Sequence, residues 1–462
     1  MKAPLLKYWE STRDSYWFLP SLMALGAIAL ATLLTPAGGL VDAGGIAQND
    51  WLRVSDPNGA RALLSTLAGS MITVAGVTFS IAIAAVAYTA SQYGPRLLNN
   101  FMQDRGNQFT LGIFIATFLY CLLVLRTIQG DGGAEGIYIP HLALLVGVAL
   151  ALCSIGVLIY FIHHVPAFIH VSNMIARAGN DLHGQIAALF PGTIGYDPPD
   201  REDYDPQADL PDDFLACSAP VRADAVGYVQ HIDEAGLMRT ALQHDLVLRL
   251  EYRPGDFVSA GKAFVYAWPA GRVDEAVYER IRGAFASGRQ RTPRQDPLFL
   301  VNELVEIAAR AISPAINEPF TAMHCLDWLA SALISLAQRD LPDAHRYDAE
   351  GRLRVIARPV TFEAFAEAAL EALRPYVQAD RNVALHQMKI IGEIACEIER
   401  PEYTRLLLRH ARALRDGCCE TLLLEADRTA VEARYRVVVR LLNGHGDRRA
   451  LTAAYPWLGG RG

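Results

Sequence analysis

The pattern of apolar and polar positions divides the chain into an apolar first third and a mixed remainder. Four long apolar runs fill that first third: Trp17–Thr35, Leu63–Ala90, Phe109–Ile128 and Ile139–Ile162. Each is near or above the roughly 20 residues a helix needs to cross the hydrocarbon of a bilayer. None contains Asp, Glu or Lys, and the one arginine, Arg126, stands near the end of its run. Backbone polar groups in a bilayer must be paired within the segment, so these runs predict four transmembrane helices. The charges around the first run are mixed (Lys2, Lys7, Glu10, Arg13, Asp14) and no cleavage site stands out. The first helix is therefore expected to be retained rather than removed as a signal peptide.

Beyond residue 162 the pattern changes twice. Pro191–Pro220 carries Asp-Pro-Pro-Asp-Arg-Glu-Asp-Tyr-Asp-Pro from Asp197 to Pro206, then Asp212 and Asp213. Prolines and like charges at this density predict a solvated linker. Val221–Trp268 reads as β structure, with Asp245–Tyr252 alternating apolar and charged residues at period two. Arg253-Pro-Gly-Asp and the run to Lys262 are turn signals. This ten-residue run is similar to a turn of biotinyl- and lipoyl-type modules. Those modules carry their modified lysine in a separate hairpin that is not visible here, so Lys262 is assigned no cofactor.

From Val273 a helical period takes over. Helices are predicted at Asp274–Phe285, Pro297–Ile312, Pro319 to about Ala337, Thr361–Val377, Arg381–Glu399, Glu402–Asp416 and Glu420–Leu442. The predicted fold class is an α-helical membrane protein with four transmembrane helices and a cytoplasmic α+β region. Its expected parts are a transmembrane domain (1–170), a connector and acidic linker (171–220), a small β-module (221–270) and a helical domain (271–462).

Charge sets the expected orientation. The N-terminal stretch has Lys2, Lys7 and Arg13, and the loop after the second run has Arg96 and Arg105. The other two loops are acidic, with Asp42, Asp50 and Asp56 in one and Asp131 and Glu135 in the other. The positive-inside rule then places both termini in the cytoplasm. Hydrophobic residues make up 52% of the 462 and charged residues 20%, too apolar for an ordinary soluble chain. A net charge of −7 argues against nucleic acid as a partner. The seven cysteines form no C-x-x-C pair, and the adjacent Cys418 and Cys419 read as ordinary thiols.

The second run carries the most informative side chains. Thr66, Ser70, Thr73, Val77, Ser80, Ala84, Ala87 and Ser91 recur at helical spacing and end beside Gln92. Small and hydroxylic residues allow close helix packing. The same residue types line narrow aqueous paths, where they hydrogen-bond water or ions without a fixed charge. Either use fits Thr66, Ser70, Thr73, Ser80, Ser91 and Gln92, and a path would form most naturally in a homo-oligomer. Arg96 and Arg105, at the inner surface, suit anionic headgroups or a pore mouth. His163, His164 and His170 cluster at the end of the fourth run and are candidates for pH sensing. Glu303, Glu306 and Arg310 read as surface pairing on a helix. Nucleophile-elbow, phosphate-loop and zinc-helix motifs are absent, so no catalytic residue, metal or cofactor is expected.

Three blocks together carry a family resemblance. They are Gly69–Ile81 with Ala90–Leu98, then Asp104-Arg with Gln108 and Leu111–Tyr120, then Asp296-Pro with Ala308–Ala322 and Cys325-Leu-Asp. The chain resembles the bacterial predicted membrane proteins grouped as "domain of unknown function 2254". The resemblance implies an inner-membrane protein with a soluble C-terminal region and supplies no activity. Two readings follow from the residues: an oligomeric channel or transport-related protein whose second helix lines the path, or a membrane-anchored scaffold or sensor whose cytoplasmic region binds a protein partner. A membrane enzyme built on the histidines is a third.

Overall fold

The computed structural model describes residues 15–41, 56–94, 101–102, 104–129, 138–190, 210, 212–398, 400–444, 451 and 453–458. They form two compact units, one ending at Asn173 and one beginning at Met174.

The first unit is a bundle of α1 (Phe18–Val41), α2 (Pro57–Tyr93), α3 (Arg105–Thr127) and α4 (His141–Ile169). Each apolar run is a helix, and three of the four helices extend well past the run. The Asp56 side chain accepts the Asn58 N–H and Pro57 starts α2, so capping begins the helix six residues before Leu63. At about 1.5 Å per residue, the 37 residues of α2 span about 55 Å, against about 30 Å of hydrocarbon. α4 runs through Pro166 to Ile169.

α3 packs against the other three helices. Its Tyr120, Cys121 and Val124 are fully buried. Its polar groups are paired across the contact. Thr117 and Ser154 hydroxyls meet at 3.0 Å, and Tyr120 donates to the Ala143 carbonyl at 2.9 Å. In hydrocarbon such pairing holds helices that the hydrophobic effect cannot sort.

The second unit starts with α5 (Val171–Leu189), β1 (Ala219–Arg222), β2 (Gly227–Ile232), α6 (Glu234–His244), β3 (Val247–Leu250), β4 (Phe257–Val258) and β5 (Ala263–Trp268). It continues with α7 (Glu275–Arg282), β6 (Phe285–Gly288), α8 (Pro297–Ala311), α9 (Pro319–Ala337), β7 (His345–Tyr347) and β8 (Leu353–Ile356). α10 (Phe362–Ala366), α11 (Arg374–Val377), α12 (Arg381–Glu397), α13 (Pro401–Thr421) and α14 (Glu425–Leu442) complete it.

Its strands form two sheets, ordered β1-β5-β3-β8-β7 and β4-β2-β6. The β structure therefore does not stop near residue 270. β6 pairs with β2, and β8 pairs in parallel with β3 through Leu248–Val355 and Arg249–Ile356. Two further differences have local causes. The helix expected to reach Phe285 stops at Arg282, where Gly283 caps it, and the chain turns into β6. The helix expected over Thr361–Val377 is broken by a wider turn at Glu367–Glu371 before Pro375, which has no N–H to donate.

The linker also ends earlier than Pro220. Phe214 is buried against Val247, Tyr347 and Leu353, and Asp213 accepts the Trp268 indole N–H. The acidic segment 197–206 lies outside the described residues. The turn at Arg253–Asp256 forms as its residues suggest, with Gly255 at φ +94°. A Cβ there would stand 2.3 Å from the Asp296 carboxylate, so both conformation and space select glycine. Asp296 is itself buried and held by Arg291 at 2.6 Å.

α12 forms the centre of the helical layer and packs against α9, α13 and α14. Val383, Met388, Ile391 and Ile394 on it are fully buried. Among the described residues five helices are long and apolar enough to cross a membrane, α1 to α4 and α9. α9 buries Cys325, Leu326, Leu329 and Leu333 and packs against α8 and α12.

Candidate functional site

The site is assembled on α2. Its buried face is apolar and regular: Leu64, Ala68, Met71, Ala75, Phe79, Ala82 and Val86. The hydroxylic stripe lies elsewhere. Thr66, Ser70, Thr73, Ser80 and Ser91 are all exposed, with Val77, Ala84 and Ala87 among them, and Gln92 is half-buried. Gly69 and Gly76 extend the stripe, and a Cβ on either would meet nothing within 4 Å. Among the described residues nothing packs closely on this face. The bundle satisfies its buried contacts with the opposite side of the helix.

The hydroxyls have a common arrangement. Thr66 donates to the Ala62 carbonyl at 2.8 Å, Ser70 to Thr66 at 2.6 Å and Thr73 to Gly69 at 2.8 Å. Ser91 donates to the Tyr88 carbonyl, and Gln92 donates to the Tyr88 hydroxyl at 2.8 Å. A hydroxyl whose proton is given to its own helix presents its remaining lone pairs outward as a neutral acceptor. The exposed face is thus a row of acceptors and small side chains beside the exposed Ile72, Ile81 and Ile83.

The three histidines do not form one site. His163 and His170 are exposed, whereas His164 turns inward to Asp104. His164 Nε2 is 2.9 Å from Asp104 Oδ2, and His164 Nδ1 is 3.2 Å from the Tyr160 hydroxyl. The same Asp104 oxygen caps α3 by accepting the Asn107 N–H at 3.0 Å. A Cβ at Gly106 would stand 2.9 Å from the Tyr160 hydroxyl and 3.0 Å from the Asp104 and His164 atoms, so the cluster requires glycine there. In the sequence Asp104 stands out only in the Asp104-Arg block that carries the family resemblance. Its position just before an apolar run was the available signal for a cap; the His164 partnership needed the fold.

Arg105 is exposed on the first turn of α3, bordering a shallow groove with Phe109 and Tyr160. Arg96 lies outside the described residues. Arg126 is exposed. In the second unit Glu306 pairs with Arg310 at 3.2 Å as expected, but Glu303 faces the core rather than the surface. Cys418 is buried and Cys419 exposed, both as free thiols.

Residues 13–393 match the family model described as "Predicted membrane protein (DUF2254)". Among curated proteins the chain is 29% identical over 393 residues to the uncharacterized proteins Rv1290c of Mycobacterium tuberculosis and Mb1321c of Mycobacterium bovis. That similarity covers 83% of this chain and 72% of each relative. No solved structure matches the chain.

Proposed function

Because the chain belongs to the DUF2254 family of predicted membrane proteins, we propose that it is an oligomeric inner-membrane channel or transport-related protein whose α2 lines the path. The observation that carries this reading is the exposure of the whole hydroxylic stripe on the outside of the bundle. Lipid gains little from a row of hydroxyls and glycines. A second copy gains close approach from it, and an enclosed water column gains acceptors. In this reading α1 to α4 are the spans and α9 is a core helix of the second unit. Both termini and the second unit face the cytoplasm, where that unit assembles or gates the path. Arg105 contacts anionic headgroups, and the chain performs no catalytic step.

The exposed Phe320, Leu423 and Leu424 favour a second reading, a membrane-anchored scaffold or sensor whose cytoplasmic unit holds a protein partner. Purified protein in liposomes separates the two. Under the first reading it supports ion or solute flux, and Ser80→Leu and Thr73→Leu block that flux while the protein still inserts. Absence of flux across pH, osmotic tension and voltage overturns the channel.

A further inference from the structure

The second unit contains a cavity of about 130 Å³ that neither reading uses. It lies at the C-terminal ends of the parallel strands β3 and β8, beside Leu250 and Ala357, and the first residue of α6 borders it. Carboxyl ends of parallel strands are where sheets open crevices, because the chain leaves each strand there in a different direction. The walls are largely apolar, with Phe190, Ile232, Leu250, Pro297 and Val360 among them. Arg253, Arg346 and Arg358 stand around this apolar space, with Glu234 and Asp343 as its acids.

Not every arginine donor is spent. Asp343 already accepts the His345 N–H at 2.7 Å and its ring Nδ1 at 3.1 Å. Burial pushes the Glu234 carboxyl up, towards its neutral form, against the pull of Arg346. Arg346 is 4% exposed and already engaged by its neighbours, so it adds fixed positive charge beside the cavity and not a spare donor. Arg358 is exposed and spends one N–H on the Glu251 carbonyl at 2.7 Å, out of the five a guanidinium carries. Arg253 stands 3.8 Å from Asp256 and also acts on the buried Asp296, so its charge is shared between two carboxylates.

From this combination we infer that the cavity is a binding site for a small organic monocarboxylate, its apolar body against the β3 and β8 ends and its carboxylate on the spare donors of Arg358. The volume is close to that of a cavity of about 150 Å³ that accepts benzene, so the body is a single ring or a short branched chain. A carboxylate suits the planar fork of arginine. Inorganic phosphate would leave the apolar walls unused and be poorly compensated for its lost hydration. The site stands whether or not α2 lines a path.

The test uses the full chain in detergent micelles, with benzoate as probe, benzamide as its neutral isostere and inorganic phosphate as competitor. Saturable benzoate binding is expected by calorimetry, with saturation transfer to the ring protons. Arg358→Gln should weaken it at least tenfold, and Ala357→Phe, which fills the cavity without touching a charge, should abolish it. Benzamide should bind at least tenfold more weakly than benzoate, and phosphate should not compete. Absence of saturable binding by both benzoate and isovalerate overturns the site. So does benzoate binding that both variants retain, or equal binding of benzamide, or competition by phosphate at equal concentration.

Discussion

Asp104 does two jobs with one carboxylate, and substitutions can separate them. Asp104→Ala removes the cap on α3, worth about 1 kcal/mol, range roughly 0.5–2. It also takes the partner from His164, and a hydrogen bond to a charged group is worth about 1.5–3 kcal/mol. The two side chains are 22% and 15% exposed, so solvent does not erase that contribution. The sum is about 3 kcal/mol. Asn caps a helix about as well as Asp, so Asp104→Asn should cost only the charge-assisted part, about half as much. His164→Ala should cost about 2 kcal/mol, and with Asp104→Ala the double mutant should cost at least about 1 kcal/mol less than the sum. Cys121 is buried in the bundle, so pulse labelling of its thiol across an SDS titration follows opening of this unit. The labelling midpoint should fall in the order wild type, Asp104→Asn, Asp104→Ala. Equal midpoints for the Asn and Ala variants, or additive effects of Asp104→Ala and His164→Ala, would refute the shared-carboxylate reasoning.

Two further predictions concern the second unit. Arg354 is buried and binds Asp348 at 2.8 Å and Asp245 at 2.7 Å. Arg354→Met strands a carboxylate whose remaining partners include Arg352 and two backbone N–H groups. The cost should be about 3 kcal/mol in urea unfolding, near the low end for a broken buried pair, and Asp348→Leu added to it should restore most of the loss. His410 is 3% exposed, burial holds its pKa below the ordinary value against the pull of Glu371, and its Nε2 has no hydrogen-bond partner. A depressed histidine contributes stability above its unfolded pKa of about 6.5 and loses it as pH falls through the folded value. The thermal midpoint of the wild type should therefore drop more between pH 7 and pH 5.5 than that of His410→Leu; parallel curves would assign the drop to other groups.

The membrane half of the fold was largely legible because a bilayer imposes one demand, an unbroken apolar length. What escaped were capped helix ends such as Asp56 and Pro57, whose polar residues carry no apolar signal. The stripe on α2 was visible as spacing, but only the packing of Leu64, Met71 and Phe79 against the bundle shows which way it points. His164 and Asp104 are 60 residues apart and meet only when α3 and α4 are in register. In the second unit β7 and β8 are three and four residues long, too short for an alternating pattern to stand out between two helices. Phe285 continued the apolar period of α7 and so read as helix, until Gly283 turned the chain.

The pairing of β3 with β8 has a consequence for how the protein is made. Leu248 waits for Val355, more than a hundred residues later in the chain. Until the ribosome has released β8, β3 has an open edge facing away from β5, and the stretch from β1 to β6 emerges with its larger sheet unfinished. Long-range pairing of this kind is slow and leaves an unpaired strand exposed in the interval. The membrane helices, with their local hydrogen bonds, come first. The second unit is thus the last part of the chain to close, with its larger sheet lacking a strand until β8 has emerged.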